Sequence, residues 1–147
     1  MIVLGDEVKT AIQAQQAVVA LESTIFSTFG LPSPFNAEAL QMCLSAVRRS
    51  GAVPALTAVL DGVIWAGVPE QLHERVLGAT VKVAARDLAV ASSQRIVAGA
   101  TTVSSSVLIA HKVGIDVFAT GGIGGVHRES QITGDISSDL NAIAQYP

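Results

Sequence analysis

The sequence predicts an α/β fold, layered α/β/α around a mixed, mostly parallel sheet. Short apolar runs of strand type alternate along the chain with longer stretches of helical periodicity, the pattern of strands joined by crossover helices. Two of those runs end abruptly in site-like residues, Leu21 in Glu22 and Ala119 in Thr120-Gly121. In open α/β sheets ligands bind outside the carboxyl ends of strands. The 147 residues are expected to form one domain spanning 1–147. A chain of that size buries roughly 68–70% of its unfolded surface, enough for a core without staples.

The elements follow in order. Residues 7–16 suit a first helix and 17–21 a short apolar strand closed by Glu22-Ser23-Thr24. A loop with Gly30, Pro32 and Pro34 comes next. Asn36 is a candidate N-cap for a helix running to Ser50. Leu40, Cys43, Leu44 and Val47 fall at i, i+3, i+4 and i+7 on its apolar face. Arg48 and Arg49 suit its C-terminal end, and Gly51 can terminate it. Residues 52–60 read as a buried strand. Asp61-Gly62 is a turn signal, with 63–66 as the hairpin partner. Pro69 opens a short helix to Leu77. Residues 81–84 form a strand, 86–95 a helix and 101–113 a further helix with Val103, Val107 and Ala110 on one stripe. The last clear strand, 115–119, feeds the glycine loop. Ser137 or Ser138 caps a final helix through Ala144. No internal repeat or linker interrupts the pattern.

Half of the residues are apolar and 14% are charged, and the mean hydropathy is +0.51. That excludes a disordered chain and suggests more burial than a monomer of this size provides, for example in subunit contacts. The net charge is −3 with signs interspersed, so a nucleic-acid polymer is not an expected partner. The single cysteine, Cys43, excludes an internal disulfide and fits a reducing compartment; on the apolar helix face it reads as a buried thiol. Met1-Ile2-Val3-Leu4 is too short for a signal-peptide core. No apolar run reaches the ~20 residues that span a bilayer. A soluble, cytoplasmic protein with no membrane partner is expected.

The densest chemistry lies in Ala119-Thr120-Gly121-Gly122-Ile123-Gly124-Gly125-Val126-His127-Arg128, followed by Asp135-Ile136-Ser137-Ser138-Asp139. A dinucleotide fingerprint fails here, because His127 stands where a third glycine belongs, and no Gly-Lys-Ser/Thr supports a P-loop. A tight turn with no ligand is the plain alternative. His127 and Arg128 tip the reading toward a phosphate or carboxylate site, since both donate to anions. Glu22 closes an apolar strand, where an unpaired charge is costly; it is a candidate general acid or base, or else a surface or capping carboxylate. Asp135 and Asp139 would share a face if both lay on one helical turn, and carboxylates suit Mn²⁺ or Mg²⁺; capping and solvation are the alternative. Lys82 snorkels to solvent or reaches a phosphate at its strand end. Arg86 and Asp87 form a surface pair. Thr101, Thr102 and Ser104–Ser106 mark an ST-rich helix start, where free N–H groups favour anions. His73 and His111 read as partnerless surface residues, and Trp65 as core or contact.

Ala20-Leu21-Glu22-Ser23-Thr24-Ile25, Gly51-Ala52-Val53-Pro54-Ala55, Arg86-Asp87-Leu88, Ala100-Thr101-Thr102-Val103, and the glycine loop with Asp135–Leu140 together resemble the pseudouridine-5′-phosphate glycosidase family, also called indigoidine synthase A-like. The likeness runs in order from Val18 to Leu140. It implies reversible cleavage of a C–C glycosidic bond, giving uracil and ribose 5-phosphate, with a divalent metal, usually Mn²⁺. By resemblance, Glu22 is the acid that protonates the uracil carbon. Asp139 is a candidate base for ring opening. Lys82 and Val103 contact substrate, Ser137 and Ser138 line its site, Thr120 and His127 reach the phosphate, and Asp135 binds the metal.

Two departures stand beside the likeness. Family members are about twice this length, so the chain is expected to represent the N-terminal half of their fold. Their Schiff-base lysine, in an Ala-Gly-Ala-Lys-type motif, has no counterpart here: the lysines are Lys9, Lys82 and Lys112. The family's Ser-His-Gly after the glutamate is replaced by Ser27-Thr28-Phe29-Gly30. A member that has lost turnover and keeps sugar-phosphate binding or an assembly role is the alternative, since covalent catalysis needs the amine.

Overall fold

In a computed structural model, residues 1–146 are described; Pro147, the last residue of the expected domain, lies outside them. The seven strands are β1 (Ile2–Leu4), β2 (Val18–Leu21), β3 (Val53–Leu60), β4 (Val63–Ala66), β5 (Val81–Val83), β6 (Ala98–Thr101) and β7 (Val117–Ala119). The helices are α1 (Asp6–Gln13), α2 (Phe35–Arg49), α3 (His73–Leu77), α4 (Leu88–Ser93), α5 (Val103–Val113), α6 (Ser130–Thr133) and α7 (Ser138–Gln145). Four of the six strand pairings are parallel and two, β3 with β4 and β3 with β6, are antiparallel.

β3 is the spine, buried along its whole length. Its unbroken apolar run fits a strand covered on both faces. One edge carries β4, through the turn at Asp61 and Gly62, where both residues take positive φ (51° and 76°), as a two-residue hairpin of the primed type requires. The other edge is shared. β2 pairs in parallel with Val53–Leu56, and β6 pairs antiparallel with Ala58–Leu60. β7 extends β2, and β5 extends β6. One core cluster packs Leu40, Leu44 and Val76 from α2 and α3 against Leu21 and Leu56. The others hold Val8 and Ala11 of α1 and Ala110 of α5 against Val18 and Ala20, and Leu88 and Ala91 of α4 and Ile109 of α5 against Val59 and Val83. Helices thus cover the sheet in two groups, the expected three layers.

Several local expectations need correction. Residues 98–101 are a strand, so Thr101 ends β6 and does not begin a helix. Ala-Gly-Ala-Thr lacks β-branched bulk because it is squeezed between neighbours: a Cβ on Gly99 would come within 2.7 Å of Val83 Cγ2. Strand formation there comes from pairing, not propensity. Asn36 lies inside α2, whose N-cap position is Pro34. Its buried side chain instead donates to the Phe26 carbonyl at 3.1 Å, fastening α2 to the loop after β2. β1 and α6 have no counterpart in the sequence expectations. Cys43 is half-buried beside the core and not enclosed. His73 is not a partnerless surface residue: its Nε2 lies 3.0 Å from the Val68 carbonyl.

Candidate functional site

Because β6 runs against β3 while β2 runs with it, the carboxyl ends of β2 and β6 meet head to head beside Thr57. The Ser23 amide donates to the Thr101 carbonyl across that junction at 3.2 Å. β7 and β5, parallel to β2 and β6 respectively, bring their own carboxyl ends to the same place. Four strand ends thus converge on one cleft of about 690 Å³. Site residues that lie far apart in sequence face each other there.

A buried hydroxyl network fixes the junction. Thr57 Oγ1 lies 2.7 Å from Thr101 Oγ1, 2.8 Å from Ser106 Oγ and 3.0 Å from the Leu21 carbonyl. Ser23 Oγ accepts from the Thr101 amide at 2.8 Å and lies 3.0 Å from Thr101 Oγ1. Thr24 Oγ1 donates to the Thr101 carbonyl at 2.7 Å. Ser104, Ser105 and Ser106 are fully enclosed, so the ST-rich helix start is an internal fastening and not an exposed anion site. Thr57 was detectable as the one hydroxyl in the apolar run of β3. Replacing it with Val keeps the shape and deletes the hub of the network. A loss of about 1–3 kcal/mol is expected, read as a lower melting temperature, with Thr57→Ser close to the parent. Equal melting temperatures for the parent and the valine variant would rule out a stabilising network.

The network holds Glu22 at the end of β2, 6% exposed. Its Oε1 lies 2.5 Å from Thr120 Oγ1, at the end of β7. Burial, the dominant influence, pushes the Glu22 carboxyl above its ordinary value; the negative charge of Asp139 adds to the rise, while Thr120, Lys82 and the Thr24 amide oppose it. Lys82 is an exposed residue of β5 on the cleft wall, and Val103, buried, lines the cleft at the start of α5.

The glycine loop folds over this cleft and is tied down by Asp139. That carboxylate, 8% exposed, accepts the Ser104 amide on Oδ1 and the Gly124 amide on Oδ2, both at 2.9 Å. The contact is close enough that a Cβ on Gly124 would collide with Ser137 Oγ, so only glycine fits. Ser137 caps α7 as expected, accepting from the Asp139 amide at 3.2 Å, and Ser138 Oγ donates to Ser104 Oγ at 3.1 Å. Asp135 and Asp139 do not share a helical face. Asp135 precedes α7, in a short antiparallel pairing where Val126 bridges Ile136. That pairing sets His127 Nδ1 3.0 Å from Asp135 Oδ2, both exposed.

Eight of the nine expected site residues therefore line one cleft: Glu22, Lys82, Val103, His127, Asp135, Ser137, Ser138 and Asp139. Thr120 is exposed beside Glu22, with its hydroxyl directed at the carboxylate and at the Gly122 carbonyl. Ser104, expected only as part of the ST-rich helix start, joins Asp139 and Ser138 to α5. Arg86 and Asp87 form the loose surface pair expected of them, 3.9 Å apart. The altered segment after Glu22 is accommodated by packing: Ser27 is buried, and Thr28 Oγ1 donates to the Ala79 carbonyl at 2.7 Å.

A family profile described as "Indigoidine synthase A like protein" matches residues 7–147. The chain belongs to the indigoidine synthase A-like family. Pseudouridine-5′-phosphate glycosidases of this family from Myxococcus xanthus and Arabidopsis thaliana are each 46% identical, over 146 and 150 residues, covering 97% and 100% of this chain but 48% and 45% of theirs. Among solved structures, the prealnumycin C-glycosynthase AlnA in complex with ribulose 5-phosphate superimposes with a TM-score of 0.84 at 40% identity, over 97% of this chain and 46% of that one. An indigoidine synthase A-like protein from Thermotoga maritima gives 0.78 at 33% identity, over 88% and 43%. The chain spans about half the length of the curated relatives it matches. Among the described residues, no helix of this indigoidine synthase A-like chain is long and apolar enough to cross a membrane.

Proposed function

We propose that this chain builds the sugar-phosphate part of a pseudouridine-5′-phosphate glycosidase site, with Glu22 as the acid that protonates the departing uracil carbon. The observation that carries the reading is a carboxyl group whose ionisation burial disfavours, in a cleft that also holds Lys82. A carbon leaving group has no lone pair to protonate beforehand, so a neutral acid must be in place as the bond breaks. In this reading Lys82 and His127 meet the phosphate or sugar oxygens, while Val103, Ser137 and Ser138 line the sugar. Thr120 serves Glu22 and not the phosphate. Each Asp139 oxygen keeps a lone pair beyond its amide bond, which leaves it able to accept a ribose hydroxyl proton in ring opening.

Mn²⁺ is the proposed metal and Asp135 its ligand. A hard divalent cation accepts one or two carboxylates and keeps several waters. That fits a largely hydrated ion at exposed Asp135, since the described residues contain no group of three or more His, Cys, Asp or Glu ligands. Bound there, the ion would supply positive charge to substrate oxygens. The reading extends to a cytoplasmic homo-oligomer. Its oligomeric part is supported by the β7 edge, which pairs with β2 alone among the described strands, and by exposed Val117, Ile123 and Val126.

A second reading, sugar-phosphate binding without turnover, is favoured by one observation: among the described residues Lys82 is the one lysine lining the cleft, and its place there is against substrate oxygens. Calorimetric titration with ribose 5-phosphate and pseudouridine 5′-phosphate, with Mn²⁺ present, tests the shared premise. Binding is expected, weakened by about tenfold in His127→Ala and Asp135→Ala, the equivalent of roughly 1.4 kcal/mol. No heat with either ligand would remove both readings. Borohydride trapping with ribose 5-phosphate then separates them: a covalent adduct favours turnover, and its absence favours binding alone.

A further inference from the structure

The Thr120 hydroxyl has more partners than one proton can serve. Its Oγ1 lies 2.5 Å from Glu22 Oε1, 2.9 Å from the Gly122 carbonyl oxygen and 3.2 Å from the Gly122 amide nitrogen. A hydroxyl gives one proton and receives on two lone pairs. The Gly122 carbonyl can only accept, and the Gly122 amide can only donate. If Glu22 is ionised, it competes with the carbonyl for the single hydroxyl proton, and one of the two contacts goes unmade. If Glu22 carries a proton, every contact is satisfied. Glu22 donates to Thr120, Thr120 donates to the Gly122 carbonyl, and the Gly122 amide fills the remaining lone pair.

We infer that Thr120 is a positioning residue that holds the Glu22 proton and makes the glycine loop respond to its departure. The inference rests on Glu22 being the acid of the proposed reaction. When the Glu22 proton passes to the acceptor carbon, the Thr120 hydroxyl rotates its own proton to the new carboxylate. No bond of Thr120 breaks. The Gly122 carbonyl loses its donor, and the loop segment over the cleft loses one of its ties. Gly121 and Gly122 both line the cleft, so the change is felt at the cleft wall. The charged groups acting on Glu22 are Asp139, from α7, and Lys82, from β5, with opposite effects. Burial outweighs both and favours the protonated state in which all the contacts close.

The test needs no substrate, so its failure is distinct from failure of the proposed function. Isotopically labelled protein is titrated with pH while the Glu22 carboxyl carbon and the Gly122 backbone resonances are followed by NMR. In the parent chain the two are expected to move together, with one midpoint above the ordinary glutamate value. Thr120→Ser keeps the hydroxyl and should keep the link. In Thr120→Val the Glu22 carboxyl should still titrate while Gly122 stops following it. In Glu22→Gln, Gly122 should not titrate in that range. The inference is overturned by a Gly122 response that survives in Thr120→Val or Glu22→Gln, by Gly122 signals that ignore pH in the parent chain, or by a Glu22 midpoint at or below the ordinary value.

Discussion

Replacing Asp139 with Ala is expected to lower the melting temperature by on the order of 10 °C. The reason is the pair of backbone amides that this carboxylate satisfies. Ser104 N–H opens α5, and Gly124 N–H belongs to the glycine loop; each donates to a different oxygen of Asp139 at 2.9 Å. Losing both acceptors at a buried position leaves two donors without partners, at about 1–3 kcal/mol each. Asn is a poor replacement, because its NH₂ group would face one of the two amides and can only donate. Asp139→Asn should therefore lie between parent and Ala. Scanning calorimetry gives the stability, and hydrogen exchange at the Ser104 and Gly124 amides locates the damage. A melting temperature within about 2 °C of the parent, with unchanged exchange, would mean that the loop is held by something else. The consequence for chemistry is direct: whatever proton Asp139 accepts in a reaction, it must do so without releasing the loop it holds.

Replacing Glu22 with Gln should change how stability depends on pH and abolish proton donation. Burial raises the Glu22 carboxyl above its ordinary value of 4.5. Folding at intermediate pH therefore takes up a proton at this residue. Its contribution to stability is fully present below about 4.5 and is lost as pH rises through the raised value. Beyond that pH the folded state carries a buried charge that the unfolded state keeps in water. Gln cannot ionise, so Glu22→Gln removes this slope and should melt higher than the parent at neutral pH. Its amide NH₂ still donates to Thr120, which preserves the arrangement of the protonated acid. Ligand binding should survive and, under the proposed function, cleavage of pseudouridine 5′-phosphate should fall by about 10²–10⁴, the usual share of a positioned acid. A parent chain whose melting temperature does not fall from acidic toward neutral pH relative to Glu22→Gln would contradict a Glu22 whose ionisation burial disfavours.

The sheet edge connects these results to assembly. β7 carries Val117, 54% exposed, and pairs on one side only among the described strands. An open strand edge beside exposed apolar residues invites pairing with further polypeptide. The longer relatives have as much chain again with which to cover such an edge. Glu22, the glycine loop and the loop's fastening on α5 nevertheless all lie within this chain, although the loop leaves directly from the edge strand β7.

The sequence by itself determined the α/β class, the β3–β4 hairpin and the group of residues that line the cleft. These rest on local signals: apolar periodicity, Asp-Gly in the hairpin turn, and glycine, histidine and carboxylates clustered within twenty residues. Family motifs carried Glu22 and Lys82 into the same group despite their distance along the chain. The tertiary structure alone decided how that group is wired. β6 could not be read from Ala-Gly-Ala-Thr, because its strand state comes from pairing with β3 and β5 in a space too narrow for larger side chains. Without β6, the meeting of strand ends at Thr57 stays hidden. Asp135 and Asp139, four residues apart, suggested a shared face, yet a short antiparallel pairing sends one to His127 and helix capping sends the other to Ser104 and Gly124. Hydrogen-bond partners are chosen by which buried donors and acceptors remain unsatisfied once the strands are in place. That choice depends on contacts between residues as far apart as Glu22 and Thr120, and no spacing along the chain encodes it.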